Sequence, residues 1–455
     1  MTPPLSRRNF IRNTATVGAA LPFISPTMLF SDQKKSKIRM GFIGTGERGR
    51  SQLTVALLRD DVEVVAICDV DNAVLQKAED MITKSGGKKP VRFDGDGEAY
   101  HKMLEMDNLD AVYIATPWVW HVPMAVAAMK AGKAVALEVS GATDIEECWD
   151  LVNAQEETGV PLMFMENVCY RRDVMAVLNM VRDDLFGEMV HLEGGYQHDL
   201  RAVKLNDGKS AYGQGVEFGE NGYSESKWRT THSVHRNAEL YPTHGLGPVA
   251  TAINLNRGNR MAYLTSMSSK SRGLHDYVVN HPKGGKDHPN AKVDFKLGDV
   301  VTTMIRTING ETINLTHDTN LPRPYSLGFR FQGTKGLWMD INKSLYVEGQ
   351  GRAHQWQSDK EMMEKYDHPL WKKYGEKASG AGHGGMDFFV FHAFIEALKR
   401  DAPMPIDVYD GAAWMAVTAL SEQSILQGGE PVQFPDFTRG RWINRKPIFA
   451  LDDSY

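Results

Sequence analysis

The chain has little of several things that would narrow its role at once. Among its 455 residues are three cysteines, Cys68, Cys148 and Cys169, too few and too scattered for a disulfide framework. Their apolar neighbours predict buried, inert thiols. No Cys-x-x-Cys or His-Glu-x-x-His pairing offers a metal site. Charge of one sign is also scarce. A formal net charge of -5 is small for this length and gives no electrostatic basis for a nucleic acid or an anionic membrane as partner. Past the first thirty residues no apolar run is long enough to cross a bilayer, so the mature chain is expected to carry no membrane span. Hydrophobic content of 42% and charged content of 24% are ordinary for a soluble globular protein. The length suits two or three domains.

Residues 1–33 differ from the rest. Ser6-Arg7-Arg8-Asn9-Phe10-Ile11 places two adjacent arginines ahead of a modest apolar run over residues 14–30. That is the layout of a twin-arginine signal peptide, and it predicts a periplasmic or secreted protein.

From residue 37 a strict alternation begins. Residues 39–43, 62–68, 110–115, 134–137 and 161–165 read as strands. Between and after them, residues 50–59, 73–84, 100–105, 123–131 and 144–158 read as helices. Strand–helix alternation predicts an α/β fold, an N-terminal Rossmann domain with a doubly wound parallel sheet over residues 37–166. The texture then changes. Residues 189–196, 300–307, 312–316 and 325–332 alternate like strands of an open sheet, separated by long loops at 198–240 and 268–298. Helices are expected near 387–400 and 411–427. Residues 167–440 therefore read as an α+β domain with an open, largely antiparallel sheet, and 441–455 as a C-terminal tail.

The first strand runs into Gly44-Thr45-Gly46-Glu47-Arg48-Gly49. In this spacing the first glycine permits a tight turn, the second lets backbone approach a pyrophosphate, and the third allows close helix–strand packing. The helix that follows offers free N–H groups and a partial positive charge to phosphate. Asp69 lies twenty residues past Gly49, at the end of the second strand. A carboxylate there accepts bonds from a ribose 2′-OH and repels a 2′-phosphate, so NAD is favoured over NADP. Two further strand ends, at Thr116 to His121 and at Glu138-Val139, point into the same crevice, where ligands of open α/β sheets bind. Taken alone, the Trp118/Trp120 pair suits packing, and Glu138 suits a helix cap.

Together GFIGTGERG, ICDVD, ATPWVWH, AMKAGKAVALE and Asn167 resemble the glucose–fructose oxidoreductase and inositol dehydrogenase superfamily. Most of its members carry Glu-Lys-Pro where this chain has Glu138-Val139-Ser140. In ordinary sugar dehydrogenases of the group that lysine assists hydroxyl deprotonation, so its absence counts against a simple dehydrogenase. A narrower set is more specific: GTGERG, Trp118-x-x-His121, Glu138-Val139, Gly194-Gly195-Tyr196, Trp228-Arg229, Tyr241-Pro242-Thr243-His244-Gly245 and Gly382-His383-Gly384-Gly385. In that order these resemble glycoside hydrolase family 109, whose members are NAD-dependent α-N-acetylgalactosaminidases. The resemblance implies NAD contacts from Gly44, Gly46, Glu47, Arg48, Gly49, Asp69, Trp118, Val119, Trp120, His121, Glu138, Val139, Asn167 and Tyr241. It implies sugar contacts from Tyr196, Arg229, Tyr241, Pro242, Thr243, His244 and Tyr325. By analogy with the superfamily it also implies a homodimer.

Export restricts the chemistry. Outside the cytoplasm free NAD is scarce, and a folded protein carries its cofactor with it, so the cofactor must return to its starting state in each cycle. The expected activity is hydrolysis of terminal α-N-acetylgalactosamine from a glycan by oxidation at C3, elimination, water addition and reduction. This route dispenses with the usual carboxylate pair and needs groups that exchange protons near neutral pH. His244, Tyr196 and Tyr241 are the catalytic candidates, with the roles among them open. His383, between glycines ahead of a helix, suits a cap or a substrate contact equally. Two other readings stand beside this one: an exported sugar oxidoreductase that keeps its NAD(P), and a non-catalytic sugar-binding protein with a relic nucleotide fold.

Overall fold

A computed structural model describes residues 37–455; the signal-peptide reading lies outside these residues. β1 (Ile38–Ile43), β2 (Val62–Cys68), β3 (Val91–Phe93), β4 (Ala111–Ile114), β5 (Ala134–Leu137) and β6 (Leu162–Phe164) make one sheet in the order β3-β2-β1-β4-β5-β6. Every pairing in it is parallel. β4, β5 and β6 are apolar and buried throughout, as strands covered by helices on both faces must be. Strand order reverses between β1 and β4, which opens a crevice at their carboxyl ends. β3 has only three residues and no alternation, so its sequence carries no strand signal.

Local chemistry sets the helix ends. Asp71 caps Asn72–Lys84 by accepting from the Ala73 amide at 2.8 Å, and Asp144 caps Ile145–Thr158 by accepting from Glu147 at 2.8 Å. The helix expected at 123–131 begins five residues earlier and spans Trp118–Lys130. Pro123 lies inside its second turn, where its missing N–H costs one hydrogen bond without ending the helix. The helix closes as expected near Gly132, with Gly132 N–H on Met129 O and Lys133 N–H on Ala128 O. The Trp118-to-His121 segment is therefore the first helical turn rather than a loop.

The second sheet has nine strands: β7 (Met189–Gln197), β8 (Met261–Ser268), β9 (Val300–Thr307), β10 (Thr312–Asp318), β11 (Arg330–Gly333), β12 (Gly336–Met339), β13 (Ser344–Val347), β14 (Gln357–Ser358) and β15 (Val432–Gln433). Their order is β14-β13-β12-β11-β7-β10-β9-β8-β15. Only β7 and β10 pair in parallel; the other pairs are antiparallel. β9 alternates, with Val301, Thr303, Ile305 and Thr307 buried and Thr302, Met304 and Arg306 exposed, the pattern of a sheet covered on one face. The covering helices are Thr243–Ala252 and Val408–Leu426. Val408–Leu426 also packs on Ile145–Thr158 of the first sheet's layer, so a single hydrophobic core runs through both.

Two expectations are corrected here. Of the stretch 325–332 only the last three residues are strand, the start of Arg330–Gly333. Pro322, Pro324 and Gly328, the last at φ +63°, break the ladder, and Ser326 alone bridges Gln197. The stretches 198–240 and 268–298 are not bare loops. They hold Arg201–Lys204, Arg229–His235 and Gly273–Asn280 around a small core of Leu205, Val216, Leu274, Val278, Ala291 and Phe295. Arg201–Lys204 and Arg229–His235 bury no apolar side chain, and Gly273–Asn280 buries only Leu274 and Val278, so there is no period to read. In the stretch read as a tail, Phe449 and Ala450 are buried, and Arg182 donates to both carbonyls at 2.6 and 2.5 Å.

Candidate active site

The glycine turn is built as its spacing demands. Gly44 has φ +84°, and a Cβ there would lie 2.5 Å from the Ala115 carbonyl oxygen. A Cβ on Gly49 would lie 2.0 Å from the Gly44 oxygen, so β1 and the Glu47–Leu57 helix can meet only through glycine. A Cβ on Gly46 would meet nothing within 4 Å. That open side is where a pyrophosphate fits, at a helix start with no side-chain cap. Asp69 is fixed at the end of β2, its Oδ2 accepting from the Thr45 amide at 2.7 Å and its Oδ1 from the Asp71 amide at 3.0 Å. The residues present thus fit a dinucleotide with a free 2′-OH.

The other expected nucleotide residues divide. Glu47 is exposed and pairs with Arg50 at 2.8 Å. Trp118 is buried, Val119 is 49% exposed, and Trp120 packs over Gly97. His121 is buried with Nε2 2.7 Å from the Thr116 oxygen and Nδ1 2.8 Å from the Ser140 oxygen. Burial pushes its pKa down against those carbonyls, and its bonds fix the chain after β4 and β5. Val139 is buried. Arg48, Glu138 and Asn167 converge. Arg48 Nε donates to Glu138 at 2.6 Å and its Nη1 to Asp387 at 2.8 Å, and Asn167 Nδ2 donates to Asp387 at 2.7 Å. Tyr113 also donates to Glu138.

The second cluster faces the same crevice from β7 and the Thr243–Ala252 helix. A Cβ on Gly194 would lie 2.4 Å from the Gly245 oxygen, and one on Gly245 would lie 2.2 Å from the Gly195 amide. This backbone-to-backbone approach brings Tyr196, Tyr241 and His244 together. Tyr196 and Tyr241 have ring centroids 4.5 Å apart, and His244 stands 5.5 Å from the first and 4.9 Å from the second. Pro242 caps the helix and Thr243 is buried behind it. His244 Nδ1 sits 2.7 Å from Oε1 of Glu166, a fully buried carboxylate whose Oε1 also accepts from the Val168 amide at 3.1 Å.

Arg229 closes the cluster. Its guanidinium lies 5.2, 5.9 and 5.1 Å from the ring centroids of Trp118, Tyr196 and Tyr241 and 2.5 Å from Glu225. Burial works against its charge, but Glu225 and the two phenols outweigh that and raise its pKa; each ring contact of this kind contributes about 0.5–2 kcal/mol. Burial raises the Tyr196 phenol pKa while Arg229 opposes, and it raises Tyr241 further, with Tyr196 adding to it. Both phenols are therefore protonated at neutral pH. Tyr196 Oη lies 3.2 Å from His198 Nδ1. Tyr325, 51% exposed, stands 6.4 Å from Tyr196 at the rim. His232 packs 5.0 Å from Trp118, and burial lowers its pKa to about 4. His235 is exposed at a helix end.

Sequence reasoning missed Glu166, Asp387 and Tyr113. Glu166 had a signal: like Asp69 and Glu138, it stands just past the end of a parallel strand, one residue further on than they do. Asp387, first-turn acid of the Met386–Arg400 helix, had none: His383 is a local partner, but Asn167 and Arg48, which tie it to the crevice, are 220 and 339 residues away.

Fold and crevice define an enzyme built on a nucleotide-binding sheet, with a cluster of titratable side chains facing the cofactor crevice, and comparisons with known proteins agree. The model of an oxidoreductase family with an NAD-binding Rossmann fold matches residues 38–166, and that of the C-terminal domain of glycosyl hydrolase 109 matches residues 170–444. A glycosyl hydrolase family 109 protein of Stenotrophomonas maltophilia is 53% identical, over 99% of each chain. An α-N-acetylgalactosaminidase of Tannerella forsythia is 51% identical, over 98% of this chain and 99% of its own. Among solved structures, levoglucosan dehydrogenase in complex with NADH and L-sorbose shares the fold, with a TM-score of 0.65 at 19% identity over 88% of this chain and 100% of its own. The chain belongs to glycoside hydrolase family 109: it is a glycoside hydrolase whose cofactor is NAD.

Proposed function

We propose that this enzyme removes terminal α-N-acetylgalactosamine from glycans through a cycle with no net redox change, and that it does so after export. The observation that carries the mechanism is the Glu166–His244 pair beside two protonated phenols. The carboxylates nearest the crevice are committed, Glu138 to Arg48 and Glu166 to His244, and do not face a sugar as the usual acid–base pair. The sugar specificity rests on the name of the Tannerella forsythia relative.

NAD, when bound, supplies a reversible two-electron acceptor for C3 of the sugar. With a carbonyl at C3 the C2 proton is acidic. Loss of the C1 substituent then needs a base for that proton and an acid for the glycosidic oxygen. Glu166 accepts from Nδ1 of His244, which leaves the lone pair on Nε2 and stabilises the imidazolium once the proton arrives. His244 is therefore the C2 base. Tyr241, held protonated by burial, donates to the glycosidic oxygen and regains a proton from the water that adds at C1. Tyr196 takes the proton of the C3 hydroxyl as it passes its own to His198 Nδ1, 3.2 Å away, a transfer that reverses when C3 is reduced. Arg229 and Trp118 form a cationic and aromatic wall against which a sugar ring orients. Twin-arginine export, read from Arg7-Arg8, is supported by this economy, since such a cycle needs no supply of free NAD.

The test uses the purified full chain with no NAD added. A chromogenic α-N-acetylgalactosaminide should be cleaved, with deuterium entering C2 of the product in heavy water. Cleavage without C2 exchange sinks the elimination route. Turnover of free sugars alone selects a retained-cofactor oxidoreductase, a reading that Val139 in place of lysine disfavours. For export, Arg7→Lys with Arg8→Lys should leave the protein in the cytoplasmic fraction; unchanged periplasmic recovery rejects this route.

A further inference from the structure

Asp387 belongs to neither the glycine turn nor the aromatic cluster, yet it collects three polar groups. Its side chain is fully buried. Oδ2 accepts from Arg48 at 2.8 Å and from His383 Nδ1 at 2.7 Å, and Oδ1 accepts from Asn167 at 2.7 Å. Burial disfavours its charge, but Arg48 and His383 outweigh that and hold its pKa well below the usual carboxylate range. Arg48 stands two residues past Gly46, and its guanidinium reaches Glu138 at the end of β5. Its side chain thus crosses the carboxyl ends of β1 and β5, where a dinucleotide lies in sheets of this order. Asp387 holds the far end of that crossing from the Met386–Arg400 helix, which packs against the Glu47–Leu57 helix.

The segment ahead of Asp387 is shaped for the same contact. Gly382, His383, Gly384 and Gly385 have φ of +72°, +41°, +65° and +96°. A Cβ on Gly382 would lie 2.7 Å from Asp387 Oδ2 and 3.4 Å from Ser51 Oγ, so this turn rests directly on the dinucleotide helix. His383 is the one residue of the four for which a positive φ is unfavourable, by about 1–3 kcal/mol. Its bond to Asp387 holds it there, with 57% of the side chain exposed. Nδ1 donates to the carboxylate, and Nε2 has no protein partner among the described residues.

We propose that Asp387 is a positioning residue for NAD, and that with the His383 turn it forms a clasp that retains the cofactor through turnover. A dinucleotide seated on the glycine turn would lie against Arg48, which reaches Glu138 and Asp387, and beside Asn167. Arg48 and Asn167 are both aimed by one acid from a distant helix, and His383, on the same acid, adds a free ring nitrogen. This rests on NAD as the cofactor and not on the route of glycoside cleavage.

The test measures NAD directly. Full-length wild-type, Asp387→Asn and His383→Ala proteins are purified, their NAD content is determined after acid release, and loss of NAD is followed after dilution into an NAD-degrading enzyme. Asparagine offers one acceptor oxygen in place of two, so Asp387→Asn should release NAD at least tenfold faster and be purified with less than half the wild-type NAD content. His383→Ala, which removes one of the three groups bonded to Asp387, should release it several-fold faster, with a smaller loss of melting temperature after NAD removal than Asp387→Asn shows. Wild-type release rates in Asp387→Asn overturn the proposal. So does faster release from Asp387→Asn matched by an equally large loss of melting temperature in the NAD-free protein, the mark of a merely structural acid. An unchanged rate in His383→Ala removes the turn from the clasp.

Discussion

Replacing Glu166 by glutamine isolates one charge. Both bonds that reach this carboxylate arrive on Oε1, from His244 Nδ1 at 2.7 Å and the Val168 amide at 3.1 Å. Oε2 is buried with no hydrogen-bond partner. In Glu166→Gln the amide oxygen would keep both bonds, and the NH₂ group would occupy the place of Oε2. What is lost is the anion opposite the imidazolium that forms when His244 takes a proton. A hydrogen bond to a charged group contributes about 1.5–3 kcal/mol against 0.5–1.5 kcal/mol for a neutral one. The difference, about 1–1.5 kcal/mol, corresponds to a fall in kcat of about tenfold. Glu166→Ala also frees the imidazole to turn and should cost about a hundredfold or more. KM and NAD content should stay near wild type, since Glu166 touches neither the glycine turn nor the Arg229 wall. The assay is the initial rate of aglycone release from a chromogenic α-N-acetylgalactosaminide, with bound NAD determined in each preparation. If both variants keep kcat within twofold of wild type, Glu166 does not act through His244 and the assignment of the base is wrong.

His244→Ala should lower kcat by about a thousandfold, within the range for loss of a general base, with NAD still bound; co-purifying NAD that disappears instead would move His244 to the cofactor side. Gly49→Ala puts a methyl 2.0 Å from the Gly44 oxygen, and overpacking of this kind costs about 1–3 kcal/mol. Its melting temperature and NAD content should both drop, and normal values for both would refute the glycine-turn geometry. Glu239 is fully buried, and burial raises its pKa from the ordinary 4.5 to about 8. The folded state then holds a proton that the unfolded chain gives up, so this group's stability contribution is full below pH 4.5 and is lost as pH rises through 8. Glu239→Gln should flatten the fall in melting temperature between pH 5 and pH 8, with each unit of the shift worth about 1.4 kcal/mol. Parallel melting curves for the two proteins across that window would contradict it.

What the sequence determined by itself was everything carried by short range. Gly44, Gly46 and Gly49 were legible as a turn because they fall in one short stretch after a strand, and a Cβ on Gly49 would strike the Gly44 oxygen a few residues away. Asp69 and Glu138 were legible as strand-end acids, and the period of the apolar residues announced the parallel sheet and the open one after it. The resemblance carried Tyr196, Arg229 and His244 to their places as names in a motif. Only the tertiary structure decided what those residues do for each other. It set His244 on Glu166, 78 residues earlier in the chain, and it placed Arg229 over three rings from three separate elements. It also gathered Arg48, Asn167 and His383 on Asp387. Distances of this kind have no trace in periodicity or spacing. They exist because β7 and the Thr243–Ala252 helix meet through bare glycine backbone, and because the Met386–Arg400 helix packs across the start of the dinucleotide helix.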